Sequence, residues 1–283
     1  MIDWRQARRS FLPEALEALR QAARDFSRRW RAPLPPSPAR GRLIGAVVLL
    51  LACVGAGDAA LALVFDARVA LAAASLPPFS LRIAEIVTRF GLSGYIFLLS
   101  ALLCVTPLVL AARRFGPKVE AGLRLLAGRA FFVFCANLFS GIVGSQIIKH
   151  LAGRARPPLI QLVGPFHFEP LSFKSTLASF PSGHTITAFT TASALGVFAP
   201  KIRIPLYLLA IAVGISRLML RAHYPSDVVA GAAIGMFSTW FVARAFARRR
   251  IVFVTRGAWI EPRGAGVILC ALRATRRMAR SPR

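Results

Sequence analysis

Cysteines and acidic residues are both scarce in this sequence. The four cysteines are far apart and form no Cys-x-x-Cys pair, which excludes a disulfide framework and a zinc site. Only 11 Asp and Glu residues stand against 37 Lys and Arg, so the formal net charge is +26. Hydrophobic residues still make up 56% of the 283 residues, which excludes a disordered polyelectrolyte. Long uncharged runs also argue against a soluble nucleic-acid-binding protein, so nucleic acid is not an expected partner.

Six apolar windows can each form a membrane-spanning helix, which needs about 20 residues. The shortest window, the fifth, needs flanking residues to reach that length. The six windows are Leu43–Phe65, Gly94–Ala112, Ala130–Lys149, Gly183–Ala199, Ile204–Arg217 and Val228–Phe246. The predicted fold class is therefore all-α, a polytopic membrane helix bundle with six transmembrane helices. The first 42 residues are polar, so we expect no cleavable signal peptide.

The positions of the cations predict the orientation in the membrane. With a cytoplasmic N-terminus, the inner segments carry 27 Lys and Arg residues outside the motifs described below. The outer segments carry six, which are Arg68, Arg82, Arg89, Arg154, Lys174 and Arg221. The positive-inside rule then predicts that both termini are cytoplasmic and that three loops face outward.

Two basic terminal segments flank the predicted membrane domain over residues 43–250. Residues 1–42 form a basic cytoplasmic N-terminal segment with a Pro-rich linker at its end. Its first part, Ile2–Trp30, is either an amphipathic helix at the membrane interface or a solvated tail. Residues 251–283 are interpreted as a basic cytoplasmic tail that contacts lipid or is disordered.

The first polar motif lies at the end of the third window. Lys149 and Arg156 are seven residues apart, close to two helical turns, so both project from one face if the helix continues. Pro157 disfavours helix at Arg156 and predicts that the helix ends there. The pair forms either an anion clamp or two cations that extend to the interface.

The second motif opens the fourth window with Pro181, Ser182, Gly183 and His184. Proline suits a first helical turn, and the small residues after it leave backbone N–H groups free to bind an anion. The alternative is a helix N-cap followed by an interfacial histidine.

The third motif joins the fifth and sixth windows. Arg217 is an ionisable residue near the end of an apolar helix, which makes it a functional candidate. His223 and Asp227 are four residues apart, and Pro225 suits a first helical turn, so the carboxylate can reach the imidazole. A carboxylate that accepts the Nδ1 proton leaves Nε2 free as a nucleophile or base. The alternative is a structural His–Asp pair.

All three motifs lie on the same predicted side of the membrane. Together, the cations Lys149, Arg156 and Arg217, with Ser182 and the Gly183 N–H, suit the oxygens of a phosphate. The same cluster contains two histidines and one carboxylate. These are the groups needed for nucleophilic attack and proton transfer.

The spacing of these residues resembles the tripartite signature of the type 2 phosphatidic acid phosphatase and haloperoxidase superfamily. The matching strings are K-x6-RP at 149–157, PSGH at 181–184 and SR-x5-H-x3-D at 216–227. All eleven specified positions match in order, which makes coincidence far less probable than for a single short motif. The resemblance covers about 200 residues and leaves out both basic ends.

The resemblance implies a role for each matched residue. His223 would attack phosphorus to form a phosphohistidine, Asp227 would orient it, and His184 would protonate the leaving oxygen and later activate water. The remaining matched residues would bind the phosphoryl group; they are Lys149, Arg156, Ser182, Gly183 and Arg217. No cofactor is implied. No metal is expected either, because the outer loops that carry the motifs hold only Glu169 besides Asp227, although Asp66 and Glu85 weaken that argument if they fold over the site.

The expected function is therefore that of a lipid phosphatase in a bacterial inner membrane, with its active site facing the periplasm. Candidate substrates are polyprenyl diphosphate, a lipid A phosphate, phosphatidylglycerol phosphate and phosphatidic acid. The outer cations Arg154, Lys174 and Arg221 favour a headgroup with more than one negative charge. The alternatives are a lipid-to-lipid phosphotransferase that uses the same site and a non-catalytic protein that binds an anion or a lipid. The sequence indicates no oligomeric state.

Overall fold

The structure is a computed structural model that describes residues 4–34, 40–112, 116–256 and 259–264. Most of the predicted Pro-rich linker, residues 35–39, and the end of the C-terminal tail, residues 265–283, lie outside the described residues. The described chain is almost entirely helical, so the predicted all-α class is confirmed.

Eleven α-helices occur in the described residues, here numbered α1 to α11 in chain order. They are Trp4–Arg31, Arg40–Leu61, Ala67–Ala72, Pro78–Thr88, Ser93–Ala111, Pro117–Ser140, Lys149–Ala152, Ile160–Val163, Gly183–Phe198, Arg203–Met219 and Pro225–Arg248.

Shorter helical segments of other types connect several of these helices. Two π-helical segments, Ala62–Asp66 and Gly141–Ile148, continue α2 and α6 without a break. The 3₁₀ turns are Ala73–Ser75, Arg89–Gly91, Pro157–Leu159, Ser175–Leu177 and Pro200–Ile202. Two antiparallel strands, β1 at Phe253–Arg256 and β2 at Trp259–Pro262, form a small hairpin with Phe253 opposite Pro262.

Five helical stretches among the described residues are long and apolar enough to cross a membrane. They are Ile44–Ser75, Pro78–Ala111, Pro117–Ala152, Pro200–Met219 and Pro225–Arg248. Their outer surfaces carry large apolar side chains, such as Leu49 and Leu98, at exposures above 60%, as expected for residues that face lipid. The remaining predicted span corresponds to α9, which has 16 residues. The count of six spans and the orientation of the termini stay predictions.

Proline and glycine mark several of the helix boundaries. Proline stands at the first position of the helices that begin at Pro78, Pro117 and Pro225, where its missing N–H and fixed φ are tolerated. Gly153 ends α7 with a left-handed φ of 57°, a conformation that costs glycine little.

The chain divides into two compact units. One comprises the described parts of Met1–Pro35, Phe97–Cys135 and Val242–Arg283, and the other those of Pro36–Ile96 and Ala136–Phe241. This division groups segments that are distant in the chain. The sequence-based boundaries after residues 42 and 250 stay a prediction.

The unit of Pro36–Ile96 and Ala136–Phe241 holds the three motifs, and small residues bring its helices close together. A Cβ atom on Gly235 of α11 would lie 2.7 Å from the Ile186 carbonyl oxygen of α9. One on Gly231 would lie 2.9 Å from the Ser182 carbonyl oxygen. This Gly-x-x-x-Gly pair therefore lets the two backbones approach each other directly at the start of α9.

The other unit is organised around aromatic rings. Phe26 of α1 contacts Phe131 edge-on at a centroid distance of 4.9 Å, and Trp30 contacts Phe246 at 6.3 Å. The guanidinium of Arg249 lies 4.0 Å from the centre of the Trp30 ring. The N-terminal segment is thus helical, as one of the two interpretations of Ile2–Trp30 expects.

Two sequence-based expectations about segments are corrected. The first window was expected to end at Phe65, but the helical path continues through the π-segment Ala62–Asp66 to Ser75, which places Asp66 inside a helix with no exposed surface. The start of the C-terminal tail is not disordered, because β-branched and aromatic residues pair there in the β1–β2 hairpin.

Candidate active site

The first motif is positioned by a helix that changes type just before it. The π-segment Gly141–Ile148 leads directly into Lys149 at the start of α7. The Lys149 ammonium donates hydrogen bonds to the carbonyl oxygens of Ala178, at 2.9 Å, and Pro181, at 2.6 Å. These bonds fix the amine beside the start of the second motif.

Lys149 and Arg156 do not lie on one continuous helix, which corrects the sequence-based geometry. The helix ends at Ala152, four residues before Arg156, and Gly153 turns the chain. Arg156 is extended, with φ −79° and ψ 157°, and its amide donates to the Thr176 carbonyl at 3.0 Å. The two cations approach through this turn and not through helical periodicity.

The guanidinium of Arg156 has a charge that no neighbouring carboxylate neutralises by contact. Its Nε is buried and, within the described residues, has no hydrogen-bond partner. Burial lowers the pKa of the Arg156 guanidinium from its usual value, although arginine stays charged. An arginine held in this way can bind an incoming anion.

The second motif stands at the start of α9, but Pro181 precedes the helix and does not lie in its first turn, because Ser182 is the N-cap and α9 begins at Gly183. Ser182 is fully buried, its amide donates to the Asp227 carbonyl at 3.0 Å, and its hydroxyl accepts a bond from Thr185 Oγ1 at 2.9 Å. Its N–H is therefore not available to a substrate. Gly183 and His184 form the first helical turn, where backbone N–H groups have no intrahelical acceptor.

Arg217 lies in the last turn of α10. Its Nη1 donates to the Thr88 hydroxyl at 2.8 Å. Its Nε is buried and has no hydrogen-bond partner among the described residues. We call Lys149, Arg156 and Arg217 the cationic cluster; none of the three forms a salt bridge in the described part of the chain.

His223 is almost fully buried and is held by an acceptor that the sequence did not indicate. Its Nδ1 lies 2.6 Å from the Ser179 carbonyl oxygen and 3.8 Å from Asp227 Oδ2. The expected direct hydrogen bond to Asp227 is therefore absent, since 3.8 Å exceeds hydrogen-bonding range. A carbonyl oxygen only accepts, so Nδ1 carries the proton and Nε2 keeps its lone pair.

Burial also keeps the His223 imidazole neutral. Loss of solvation lowers the pKa of His223 to about 4, although the negative charge of Asp227 acts in the opposite direction. At neutral pH the ring is therefore unprotonated at Nε2. This is the state that a nucleophilic histidine requires.

Asp227 is fully buried in the first turn of α11. Its Oδ2 accepts hydrogen bonds from the Ser179 hydroxyl at 2.5 Å and the Tyr224 amide at 2.8 Å. Its Oδ1 accepts one from Arg154 at 2.7 Å. Asp227 therefore caps the helix and fixes Ser179, whose carbonyl in turn holds His223.

Arg154 connects Asp227 to a second buried carboxylate, Asp66. Its Nη2 donates to Asp66 Oδ2 at 2.7 Å, and Ser226 donates to the same carboxylate through its amide and its hydroxyl. With Ser179, these residues form the buried ion network, which consists of Asp66, Arg154, Ser179, Ser226 and Asp227.

Every N–H of the Arg154 guanidinium has an acceptor. Nε and Nη2 donate to the Pro165 carbonyl at 3.1 and 2.8 Å, and Nη1 donates to Ser226 at 2.8 Å and to Asp227. The Tyr224 ring lies over the guanidinium at 4.3 Å. Burial alone would lower the pKa of Arg154, but the two carboxylates raise it above its usual value.

Arg154 and Asp66 therefore differ from their expected roles. Arg154 was expected to contribute an outer positive charge to a headgroup, but it is 2% exposed and neutralised by two carboxylates. Asp66 was expected in an outer loop, where a position over the site would weaken the argument against a metal. Its oxygens instead accept hydrogen bonds from Arg154 and Ser226.

The matched residues of the three motifs come together in one region. The His184 ring lies within electrostatic range of His223, Arg217, Lys149 and Arg156. A neutral histidine with a free Nε2 and three cations therefore all lie within electrostatic range of the second histidine. Such a site can bind a phosphate dianion, attack it and donate a proton to a leaving oxygen.

Sequence reasoning missed Ser179, Ser226 and Thr88 and misassigned Arg154 and Asp66. Two signals were available for the charged pair. Asp66 follows an apolar run, where an ionisable residue needs a partner, and Arg154 immediately follows a glycine within the first motif. No signal in the sequence distinguished the serines from other small polar residues.

Comparison with known proteins identifies the family to which the chain is related. A family model described as the PAP2 superfamily matches residues 129–251. The lipid A 1-phosphatase of Rhizobium etli is 32% identical over 197 residues, which cover 68% of this chain and 81% of that protein. That of Rhizobium johnstonii is 34% identical over 197 residues, covering 68% and 77%.

A solved structure is also similar. It is the crystal structure of a transmembrane PAP2-type phosphatidylglycerolphosphate phosphatase from Bacillus subtilis, with a TM-score of 0.39 and 22% identity over 71% of this chain and 89% of that one. The Rhizobium relatives and the family model confirm the resemblance carried by the three motifs, and the chain belongs to the PAP2 superfamily.

Proposed function

We propose that this membrane lipid phosphatase removes the 1-phosphate of lipid A through a phosphohistidine at His223. The observation that carries the chemistry is the 2.6 Å contact between His223 Nδ1 and the Ser179 carbonyl, which leaves Nε2 unprotonated. Lys149 and Arg217 lie within electrostatic range of the same ring. The choice of substrate is supported by the two Rhizobium relatives, each described as a lipid A 1-phosphatase and more than 30% identical over most of its length.

In the first step, His223 Nε2 attacks phosphorus and the bond from phosphorus to the lipid oxygen breaks. His184, which takes up a proton when the phosphate dianion binds beside it, donates that proton to the leaving oxygen, which becomes the free hydroxyl of the sugar. Lys149, Arg156 and Arg217 hold the phosphoryl oxygens, whose negative charge is stabilised as the new bond forms. The Gly183 N–H, at the start of α9, assists them.

In the second step, water attacks the phosphohistidine. His184, now neutral, accepts a proton from the water, and the bond between phosphorus and Nε2 breaks. Inorganic phosphate leaves and His223 returns to its neutral state. The site works without a metal in this mechanism, because the three cations supply the positive charge that a metal would otherwise supply.

Asp227 acts on this reaction indirectly. Its carboxylate binds the hydroxyl of Ser179 and caps the helix that follows His223, so it holds the carbonyl that orients the imidazole. Its negative charge, 3.8 Å from Nδ1, also stabilises the positive charge that develops on the ring. In this proposal Asp227 still orients His223, as expected, but it does so through Ser179.

The proposed site faces the periplasm. Both termini and the arginine-rich segments are then cytoplasmic, as the positive-inside rule expects. Lys174, which is exposed in the segment between the first two motifs, tests this orientation. The variant Lys174→Cys in intact cells should react with a membrane-impermeant maleimide, and protection until the cells are lysed would place the site in the cytosol.

The decisive experiment compares phosphate release from a panel of lipids by the purified protein. Lipid A with phosphates at both ends should lose the 1-phosphate, as shown by mass spectrometry of the product, with kcat/KM at least tenfold above phosphatidylglycerol phosphate, phosphatidic acid and polyprenyl diphosphate. Preference for another lipid would overturn the proposal that lipid A is the substrate, but it would not contradict the phosphatase activity. Lipid product that exceeds inorganic phosphate would indicate transfer to an acceptor lipid.

The variant His223→Ala tests the nucleophile on the same substrate. We expect a loss of at least about a thousandfold in kcat and no acid-labile phosphoenzyme. His167→Ala is the matched control, since His167 is a partly exposed loop residue paired with Glu169 at 3.1 Å. Turnover by His223→Ala at a rate near that of the control would assign the nucleophile elsewhere.

A further inference from the structure

Five leucine and phenylalanine side chains are exposed in the segment that joins the first two motifs. Their exposures are 80% for Leu162, 49% for Phe166, 46% for Phe168, 68% for Leu171 and 77% for Phe173. We call these five side chains the apolar rim. They lie beyond the spanning stretch that ends at Ala152 and before α9, so exposure to lipid along a transmembrane helix does not account for them.

The rim is fixed at the level where that stretch ends. The amide of Glu169 donates to the Gly153 carbonyl at 2.9 Å, and the amide of Ala155 donates to the His167 carbonyl at 3.0 Å. Gly153 follows Ala152 directly, and a Cβ atom on it would lie 1.7 Å from the Glu169 carbonyl oxygen. The rim is therefore held against the last turn of a helix that is long and apolar enough to cross a membrane.

Contacts also join the rim to the first motif. The Phe173 ring stacks on His150 at a centroid distance of 4.4 Å, and His150 adjoins Lys149 of the cationic cluster. The Phe166 and Phe168 rings lie 6.0 and 5.6 Å from the guanidinium of Arg154, the central residue of the buried ion network. Hydrocarbon that contacts the rim thus lies beside the motif that binds phosphate.

The polar residues of the segment match an interfacial position. His167 and Lys174 both pair with Glu169, at 3.1 and 3.8 Å, so the charged groups satisfy one another among the exposed rings. Aromatic rings with polar groups beside them are typical of the boundary between headgroups and hydrocarbon. The surface therefore suits the part of a lipid where its chains join its headgroup.

We propose that the apolar rim binds the hydrocarbon chains of the lipid whose phosphate occupies the cationic cluster. It thereby selects lipid phosphates over water-soluble phosphate esters. The inference rests on the proposed phosphatase function and adds a chain-binding surface to it. The occupant is the substrate lipid itself, because the rim is continuous through His150 with the phosphate-binding residues.

The test compares two substrates in one variant. Leu171→Ser with Phe173→Ser should lower kcat/KM for a long-chain lipid phosphate in mixed micelles about tenfold or more, mainly through KM, a tenfold loss being about 1.4 kcal/mol of binding. A short-chain, water-soluble phosphate ester should keep its kcat/KM within about twofold. Ile202→Ser is the matched control, because Ile202 is 49% exposed outside this segment and should leave both substrates unchanged.

A binding measurement gives a second readout that does not depend on turnover. Tryptophan fluorescence of Phe173→Trp, corrected for the wild-type signal, should be quenched by a non-hydrolysable lipid phosphonate with brominated chains. Excess unbrominated phosphonate should remove the quenching. Quenching by brominated bulk lipid alone, with no competition by the phosphonate, would show that the rim contacts the general membrane and would overturn the proposal.

The outcomes separate this inference from the function on which it rests. If the double variant loses both substrates equally, the rim supports the shape of the site and does not bind chains. If the wild-type protein releases phosphate from neither substrate, the phosphatase proposal fails. In that case, quenching by the brominated phosphonate that the unbrominated phosphonate displaces would still support chain binding at the rim. Absence of such quenching would exclude chain binding there.

Discussion

The cationic cluster and the buried ion network lie in the same compact unit, but the positive charge is neutralised by carboxylates only in the network. In the network, the Arg154 guanidinium meets two carboxylates and each of its five N–H groups has an acceptor. In the cluster, the hydrogen-bond partners of Lys149 and Arg217 among the described residues are carbonyl or hydroxyl oxygens, and the buried Nε of Arg156 has no acceptor there.

The difference teaches which arginine is structural and which is available to a ligand. Arg154 and Arg156 are two residues apart in the chain and carry the same side chain, although only Arg156 is a specified position of the first motif. Burying a charge without a partner is costly, and Arg154 is buried only because Asp66 and Asp227 neutralise it. Arg156 keeps a free charge that we assign to the phosphoryl group. The following changes test this division.

The largest expected effect is on folding, from Arg154→Met. The substitution keeps much of the side-chain volume but leaves Asp66 and Asp227 buried with no opposite charge. Breaking a buried pair in this way costs about 3–5 kcal/mol, so we expect a large fall in the melting temperature and in the yield of folded protein. Thermal unfolding in detergent measures it, with Arg156→Met as the matched control two residues away. Equal melting temperatures for the two variants would contradict the division.

The second effect is on catalysis, from that same Arg156→Met variant. Removing one preorganised charge from a phosphoryl-binding site should lower kcat/KM by about a hundred- to a thousandfold. The melting temperature should stay the same or rise, because repulsion from Lys149 is removed. Steady-state phosphate release and thermal unfolding on one preparation measure both quantities. A loss of stability comparable to that of Arg154→Met would show that Arg156 stabilises the fold, which would contradict its assignment to the phosphoryl group.

A smaller and graded effect is expected from pH, through His223. Its pKa of about 4 means that protonation removes the Nε2 lone pair only in acid. We therefore expect kcat/KM to show no loss from His223 protonation between pH 7 and 5, and to fall about tenfold for each pH unit below 4.

The pH profile is measured with a phosphate ester whose own ionisation has been titrated separately, so that substrate protonation is subtracted. The pKa of His223 is lowered and not raised, because burial disfavours the charged ring more strongly than Asp227 favours it. A corrected acid limb near pH 6.5, the ordinary pKa of histidine, would mean that the ring is solvated in the working enzyme.

The motif residues could be predicted from the sequence because their spacing is fixed within short segments. The strings that contain Lys149, His184 and His223 each combine a helix boundary with a polar group, and the structure brings all three together. The partners of these residues could not be predicted from the sequence, because the pairs form through tertiary contacts. Asp66 and Arg154 are 88 residues apart, and the carbonyl that holds His223 belongs to Ser179, 44 residues earlier.

Helix positions could be predicted better than helix types and ends. Five of the six apolar windows fall in helical stretches that are long and apolar enough to cross a membrane, because hydropathy depends on composition alone. The π-segments that precede Lys149 and end at Asp66 were not predicted, since no residue pattern marks the extra residue in a turn. The β1–β2 hairpin had a signal in the β-branched run Ile251–Thr255, which the arginine content of the tail obscured.

The smallest expected effect concerns how the cationic cluster is positioned, and Thr88→Val tests it. Valine keeps the shape of threonine but removes the hydroxyl that accepts the 2.8 Å hydrogen bond from Arg217. The guanidinium keeps its charge and loses one orienting contact, so kcat/KM should fall only about three- to tenfold. Thr88→Ser restores the acceptor and should recover most of the rate, and Arg217→Gln sets the upper limit of the loss. If Thr88→Ser is as slow as Thr88→Val, packing of the methyl group, and not the hydrogen bond, positions Arg217. Packing would then position the cationic cluster, whereas hydrogen bonds and ion pairs hold the buried ion network.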